Sequence, residues 1–401
     1  MKEKLLLGYL LLLFAPVSGI AQQLLNLDTE ITDTVKSRIL NSGQQIVVRL
    51  PKNYNKNATR YPVIYYFDAQ DQGLGNLVAV NVDRLTWTKD IPEVITVGIL
   101  QWDRSHLSIE RMGEKANNFL NYLNAELIPY INKKYRTEDY RIFIGHSLGG
   151  QFVTYGMTRY PQLFNGVVAI SPALSYAASE KWFQRLTLKA MGEFRKTKLS
   201  RPIRYFFCVG NSGFQDSEFK TGAFELNTLL ENSEQQNFFW NFQYLDNFSH
   251  SNTPNAGISM GLLHIFHDWQ FPEITAAGIL VDNKGDALKE LSRQEQKIRE
   301  SYQVDLPIPK QFYWYFARHC IEKGKLADAR VIIDKFIQRD PADPMPYKTM
   351  GDLMEANKDY SQSIRYYEIA LTKLAKEDKA YKEYSEKIME LRKRLGQPDK
   401  N

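Results

Sequence analysis

The chain has 401 residues, enough for one large domain and a smaller one. Hydrophobic residues make up 43% of it and charged residues 24%, which is ordinary for a globular protein. The formal net charge of +5 is small for this length, and no dense basic block precedes the C-terminal region. Composition therefore gives no support to nucleic-acid binding.

The N-terminus has the pattern of an export signal. Lys2 and Lys4 precede an apolar stretch over 5–17, and Gly19-Ile20-Ala21 follows with small residues at positions 19 and 21. We predict a signal peptide over residues 1–21, cut after Ala21, and a secreted or periplasmic protein. An uncleaved membrane anchor is the alternative, but the stretch is short for a span and contains a proline. No later stretch is long enough to cross a bilayer, so we expect no membrane span after cleavage.

Between residues 22 and 275, short apolar segments alternate with amphipathic ones. The predicted strands are an antiparallel pair within 33–50, then 62–67, 94–100, 141–144, 166–170, 203–209 and 238–245. The predicted helices are 119–130, 151–160, 223–231 and 256–269. This alternation predicts an α/β fold with a doubly wound, mostly parallel sheet, whose chemistry lies at the carboxyl ends of the strands.

The pattern changes after residue 275. Residues 276–306 are predicted to form a charged connector, helical over 287–301. Residues 307–401 are predicted to form helix pairs, because similar residues, such as Leu326 and Tyr360, recur 34 positions apart. That period resembles the tetratricopeptide repeat and predicts a small all-α region. We expect this region to pack against the preceding domain and to be stabilised by it.

The remaining composition gives no sign of a cofactor. Cys208 and Cys320 fall in different predicted domains, which favours two buried free thiols over a disulfide. No cluster of cysteine and histidine residues suggests a metal site, so we predict neither metal nor cofactor.

Residues 145–149 carry the strongest chemical signal. Gly145, Ser147 and Gly149 have the G-x-S-x-G spacing between a predicted strand and a predicted helix, which is the context of a nucleophile elbow. Both flanking positions are glycine, and we expect any side chain there to collide with the neighbouring strand or helix. The tight turn holds the serine hydroxyl clear of the sheet, so we predict that Ser147 is the nucleophile.

A serine nucleophile needs a base, and a histidine after the last strand is the expected position. His250 follows the last predicted strand on a polar loop, whereas the other histidines lie too early, in the elbow, on helices or in the repeats. The third group is a carboxylate that orients the imidazole. Asp216 on the predicted loop 210–218 is the first choice, Glu218 the second, and Asp246 a further candidate; a serine–histidine pair with no acid stays open.

Two backbone N–H groups must hold the oxyanion. We predict Leu148 as one donor and either Ala69 or Gln70, at the end of an earlier strand, as the other. Trp102 and Arg104 follow the strand 94–100 at the same edge of the sheet. They are candidates for substrate contact by stacking and hydrogen bonding, or alternatively for local packing.

Several stretches resemble the esterase branch of the α/β hydrolases, which includes enterochelin (siderophore) esterases, S-formylglutathione hydrolases, and feruloyl and acetylxylan esterases. The likeness covers about residues 35–270. It rests on the stretches 48–51 with Tyr54, 61–68, 97–99, 126–129, 145–150 and 164–172. The resemblance implies a serine esterase using Ser147 and His250, and the segment order is most similar to the siderophore-esterase subgroup. Two departures are Ala69 in place of the usual glycine and Asn211-Ser212 where an acid often stands.

The sequence therefore supports an exported serine esterase that forms an acyl-enzyme on a siderophore lactone or a glycan acyl or feruloyl ester. The alternative is a non-catalytic interaction protein with a degenerate hydrolase domain and a helical repeat that binds a protein partner. The intact elbow and the placed histidine favour the first hypothesis, and the absence of an obvious acid favours the second.

Overall fold

The computed structural model describes residues 30–52, 54–56, 58–176, 183–280 and 285–396, so the predicted signal peptide lies outside the described residues. Eight strands in this part form one sheet in the order β1-β2-β4-β3-β5-β6-β7-β8. The strands are β1 Glu30–Ser37, β2 Ser42–Arg49, β3 Tyr61–Phe67, β4 Ile95–Ile99, β5 Thr137–His146, β6 Gly166–Ile170, β7 Ile203–Ser212 and β8 Phe238–Ser249.

Helices connect and follow these strands. Those up to the end of the sheet region are α1 Gln72–Thr88, α2 Ile109–Tyr122, α3 Ile128–Lys134, α4 Leu148–Arg159, α5 Leu186–Phe194, α6 Phe214–Glu231 and α7 Thr253–Ile265. Those beyond it are α8 Glu273–Leu280, α9 Ala287–Tyr302, α10 Lys310–Glu322, α11 Leu326–Arg339, α12 Pro344–Ala356, α13 Tyr360–Leu371 and α14 Lys379–Arg394. A π-helical turn, Leu123–Leu127, joins α2 to α3.

The predicted fold class is confirmed. Strands β3 to β8 are parallel, and only β1 and β2 at one edge run antiparallel to their neighbours. The central strands β3, β4 and β6 are buried along their whole length, as expected of parallel strands covered on both faces. The chain crosses from β4 over β3 to β5, so β3 and β5 meet at a switch point, where α/β sheets bind ligands.

Each face of the sheet has its own apolar core. One core contains buried residues of α2, α4, α5 and α6, such as Phe119 and Phe152. The other contains residues of α1 and α7, such as Ile258, together with residues of α9 to α12, such as Ile298 and Phe316. The C-terminal helices therefore complete the cover on one side of the sheet.

The C-terminal helices form two successive pairs and a last helix. Equivalent helices begin 34 residues apart: α10 at Lys310 and α12 at Pro344, then α11 at Leu326 and α13 at Tyr360. The buried residues of α13 and α14 form a small cluster separate from the two sheet cores. The predicted connector helix, 287–301, is present as α9 and ends one residue later.

Some helices are absent from the sequence prediction or longer than predicted. Helices α1, α5 and α8 have no predicted counterpart, and the predicted helix 119–130 is the middle of a helical run from Ile109 to Lys134. Cys208 and Cys320 are buried free thiols, as predicted. Among the described residues, we find no helix with the length and apolar character needed to cross a bilayer.

Candidate active site

Ser147 occupies the sharp turn between β5 and α4. Its backbone has φ 60° and ψ −119°, an unusual conformation for a residue with a side chain. Its N–H donates to the Ile170 carbonyl at 2.9 Å, and its own carbonyl accepts from the N–H groups of Gln151 at 3.0 Å and Ala173 at 3.2 Å. These bonds fix the turn to the end of β6 and to the first turn of α4. A strained turn that is supported in this way is typical of a nucleophile elbow.

Asp216 and His250 are hydrogen-bonded to each other. The His250 Nδ1–H donates to Asp216 Oδ1 at 2.8 Å. The other carboxylate oxygen of Asp216 accepts from the Ser171 hydroxyl at 2.9 Å and from the Gly210 N–H at 2.7 Å. Asp216 is fully buried, with 0% exposure, so each of these three donors faces a carboxylate shielded from water. Asp216 can therefore hold the His250 ring in one orientation.

The local structure around Asp216 differs from the predicted loop 210–218. Strand β7 continues to Ser212, which pairs with Ser249 beyond a register shift, and α6 starts at Phe214. Asp216 therefore lies in the first turn of a helix, where the N-terminal end of the dipole favours a carboxylate. Among the other acids considered, Asp246 is exposed and accepts a hydrogen bond from the Asn211 side chain.

His146 packs against the loop that carries His250. Its Nε2–H donates to the His250 carbonyl at 2.9 Å, and the two imidazole rings have centroids 4.5 Å apart. The same carbonyl accepts from the Thr253 hydroxyl at 2.9 Å. Burial, together with the neighbouring His250, lowers the pKa of His146 to about 4. Because His146 directly precedes Ser147, this contact brings the elbow and the His250 loop together.

The structure separates the two alternatives for the second oxyanion donor. The Ala69 N–H already donates to the Ile99 carbonyl at 3.1 Å, which favours Gln70 of the two predicted alternatives. Gln70 is the alternative that stands. Leu148 opens α4, where the first N–H groups of a helix have no partner within it. Leu148 and Gln70 therefore remain the candidate donors.

Trp102 and Arg104 follow β4 but take different directions. The indole of Trp102 is 74% exposed and donates to Gln45 on β2, on the side of β4 away from Ser147. The guanidinium of Arg104 instead contacts Asp68 with two nitrogens, at 2.9 and 3.0 Å. Only Arg104 therefore reaches the loop that follows β3.

Two residues that support the acid were not singled out from the sequence. Ser171 and Gly210 both donate to Asp216, and Ser171 has a positive φ of 40° at the end of β6. The Ser-Pro pair that closes the predicted strand 166–170 is the only signal that points to Ser171. A Cβ at position 210 would lie 2.1 Å from the Phe248 carbonyl oxygen, so only glycine fits there. In the described residues, no group of three or more metal-binding side chains occurs.

A mostly parallel sheet with a strained serine turn at its switch point and a buried Asp–His pair at the same edge defines the α/β-hydrolase class. Residues 37–255 match the model of the Esterase family, whose description is "Putative esterase". The match covers more than half of the chain, and the protein belongs to this family. It is a carboxylic ester hydrolase. No relative was found among curated proteins.

Solved structures share the fold at low sequence identity. An uncharacterised protein from Capnocytophaga ochracea is 16% identical, with a TM-score of 0.65 over 91% of this chain and 99% of its own. An IroE-like serine hydrolase from Shewanella oneidensis is 18% identical, with a TM-score of 0.60 over 77% and 99%. The siderophore hydrolase EstB from Aspergillus nidulans is 16% identical, with a TM-score of 0.51 over 62% and 98%. At 91% coverage, the first likeness extends into the C-terminal helices.

Proposed function

We propose that this protein is an exported serine esterase that hydrolyses carboxylic esters through an acyl-enzyme intermediate. The observation that carries the proposal is the 2.8 Å hydrogen bond from His250 Nδ1–H to the fully buried Asp216. Because Nδ1 is engaged in this way, the free nitrogen of the ring is the one that can serve a nucleophile. His146, adjacent to Ser147 in the chain, contacts that same ring.

The roles follow from this arrangement. Ser147 Oγ attacks the ester carbonyl carbon while His250 Nε2 takes the hydroxyl proton, and Asp216 stabilises the resulting imidazolium. The backbone N–H groups of Leu148 and Gln70 hold the oxyanion. His250 then gives its proton to the leaving alcohol, and a water molecule activated by the same ring releases the acid and restores the serine.

The proposed substrates are a siderophore lactone or an acyl or feruloyl ester of a glycan. The family resemblance supports this choice, and one protein that shares the fold is a siderophore hydrolase. The exposed indole of Trp102 is proposed to stack on a part of the substrate that extends beyond the reacting ester. Arg104 is the second proposed contact at this rim.

Export and the repeat region belong to the same proposal. The sequence over residues 1–21 is proposed to be cleaved, leaving a secreted or periplasmic enzyme. The 34-residue offset between equivalent helices supports tetratricopeptide-like pairs over 307–401. We assign these helices a supporting role, since α10 to α12 contribute buried residues to a core shared with the sheet.

The proposal is tested with p-nitrophenyl acetate and a fluorophosphonate probe. The wild-type chain should hydrolyse the ester and be labelled at Ser147, and Ser147→Ala should lose labelling and about 10⁵-fold or more in kcat. A wild-type protein that is neither active nor labelled would contradict the proposal. A panel of siderophore lactones, acetylated xylan and feruloyl sugars then identifies the substrate class.

A second set of variants identifies the acid. Asp216→Asn should lower kcat by about 10⁴-fold, because the amide cannot orient and stabilise the imidazolium as the carboxylate does. Glu218→Gln and Asp246→Asn are the matched controls, each removing one nearby negative charge, and both should stay within about threefold of wild type. A large loss in either control with little loss in Asp216→Asn would move the role to another residue.

A further inference from the structure

The loop after β3 places a buried carboxylate beside the nucleophile helix. Asp68 is 6% exposed and adopts a positive φ of 57°. Its Oδ2 lies 3.7 Å from the point where a Cβ on Gly149 would sit, in the first turn of α4 and next to Leu148. A negative charge is therefore fixed close to the proposed oxyanion donors.

Such a charge opposes the proposed chemistry unless it is compensated. A bare carboxylate near the oxyanion would repel the charge that develops on the substrate oxygen, and the effect is strong where water is excluded. Arg104 supplies the compensation, because its Nε and one terminal nitrogen bind the two oxygens of Asp68 at 2.9 and 3.0 Å. This bidentate geometry is specific to arginine.

The same carboxylate is tied to the candidate donor Gln70. The Gln70 side-chain amide donates to Asp68 Oδ1 at 3.2 Å and to the Gln101 carbonyl at 3.0 Å. Its side-chain oxygen accepts from the Gln101 N–H at 2.7 Å. With the Ala69 N–H held by Ile99, these bonds determine the direction of the Gln70 peptide. The Arg104–Asp68 pair thus belongs to the scaffold of the oxyanion loop.

We propose that Arg104 is a positioning residue that acts through Asp68, neutralising its charge and holding the loop that presents the Gln70 N–H. This inference rests on the proposed serine esterase function and refines the role of Arg104 from direct substrate contact. The two roles differ in what they affect. Loss of a substrate contact raises KM, whereas loss of charge compensation at the oxyanion lowers kcat.

The test is a double-mutant cycle on the full chain with p-nitrophenyl acetate, a small neutral ester. Arg104→Met should lower kcat by about 100-fold and change KM by less than about threefold, because the buried Asp68 charge is left unpaired. Asp68→Asn removes that charge and suits the positive φ, since asparagine tolerates this conformation. The double variant Arg104→Met/Asp68→Asn should therefore recover at least about tenfold in kcat over Arg104→Met.

Two further variants calibrate the cycle. Arg104→Lys keeps the charge but not the two-nitrogen contact, so its kcat should fall between wild type and Arg104→Met. Arg318→Met removes an exposed arginine that pairs with Glu322 on α10 and should leave kcat unchanged. Thermal unfolding and fluorophosphonate titration of each variant give the fraction of folded, reactive protein, to which kcat is normalised.

The outcomes separate this inference from the function on which it rests. A wild-type enzyme that is active, with Arg104→Met raising KM at unchanged kcat, overturns the inference alone and makes Arg104 a substrate contact. An active wild type whose double variant is as slow as Arg104→Met also overturns it, because the loss then does not come from the Asp68 charge. A wild type that is inactive and unlabelled overturns both.

Discussion

Gly145 and Gly149 flank Ser147 symmetrically in sequence but face different surroundings. A Cβ on Gly145 would lie 2.2 Å from the Gly149 carbonyl oxygen, which no side chain tolerates. A Cβ on Gly149 would meet its nearest atoms, on Asp68 and Phe67, at 3.7 Å, an ordinary contact. The predicted collision is therefore correct at position 145 and wrong at position 149, where the first side-chain atom has room.

This difference gives a paired prediction. Gly145→Ala should destabilise the fold by about 1–3 kcal/mol, because the added methyl group pushes the strand away from the nucleophile helix. Gly149→Ala should have a urea unfolding midpoint equal to that of wild type or slightly higher, because alanine favours the helix. Urea unfolding followed by circular dichroism measures both. Equal destabilisation by the two variants would contradict this account of the elbow.

His146 makes stability depend on pH. Its pKa of about 4 lies below the ordinary value of 6.5, so the folded protein holds the ring neutral while the unfolded chain takes up a proton first. The contribution to the free energy of unfolding is complete above about pH 6.5 and falls as the pH drops toward 4. From the size of this shift, the loss reaches about 3 kcal/mol.

We expect His146→Gln to flatten this dependence. Glutamine can still donate to the His250 carbonyl but does not titrate, so its free energy of unfolding should fall less than that of wild type between pH 6.5 and 4. His319→Gln is the control, since that histidine lies on α10, away from the elbow. Parallel slopes for wild type and His146→Gln in urea titrations across this range would show that His146 is not the group responsible.

At the level of single residues, the sequence could rank the candidate acids but could not decide among them. The motif and chain order single out Ser147 and His250 because local spacing encodes them. Choosing Asp216 over Glu218 and Asp246 depends on burial and on donors brought together by the fold. Ser171 and Gly210 are such donors, and Ser171 directly follows β6 whereas Gly210 lies in β7.

Helix α7 shows how packing at the element level positions the site. It follows His250 after a short turn and lies against β6 and β7 through Gly257 and Gly261, which share one helix face. A Cβ at 257 would lie 2.9 Å from the Cys208 sulfur, and one at 261 would lie 2.4 Å from a Val168 methyl carbon. The close approach of helix and sheet therefore requires glycine at both positions.

We expect Gly261→Ala to lower the free energy of unfolding by about 1–3 kcal/mol, because the methyl group overpacks the interface with β6. Gly113→Ala is the matched control. Gly113 lies in the interior of α2 with no atom near its Cβ position, and the same substitution there should stabilise the protein by about 0.5–1 kcal/mol. Chemical unfolding distinguishes the two signs, and a stabilising Gly261→Ala would show that α7 can move away from the sheet.

The sequence predicted the sheet strands more closely than the helices. Strand β6 matches its predicted range, and β3 and β4 match to within a residue at each end, since buried parallel strands are short apolar runs. Helices α1 and α5 were missed, and α6 starts nine residues before its prediction. The first turn of α1 is glycine-rich and that of α6 is mostly polar, so tertiary packing rather than an apolar period determines where these two helices begin.

At the scale of the whole molecule, the C-terminal helices are joined to the sheet by specific contacts. Tyr140 on β5 packs edge-on against Tyr302 on α9, with ring centroids 5.3 Å apart. The Trp269 indole donates to the Pro307 carbonyl at 2.7 Å, and Phe271 stacks on Phe312 of α10 at 4.6 Å. A sequence read for periodicity indicates where the helical pattern begins but not what its apolar faces cover. Whether residue 306 is a domain boundary therefore depends on how much these contacts contribute to the stability of the sheet.

Truncation tests that boundary. A chain ending at residue 306 loses α10 to α14. Because the buried residues of α10 to α12 share a core with one face of the sheet, its thermal midpoint should fall by more than about 5 °C. A chain ending at residue 374 loses only α14, whose buried residues belong to the separate small cluster with α13, and should keep the main transition within about 2 °C. Calorimetry of the three proteins gives the comparison. If the chain ending at 306 melts at the full-length temperature, residues 307–401 form an independent domain and the shared core contributes little, because an interface that stabilises the sheet must lower its midpoint when removed.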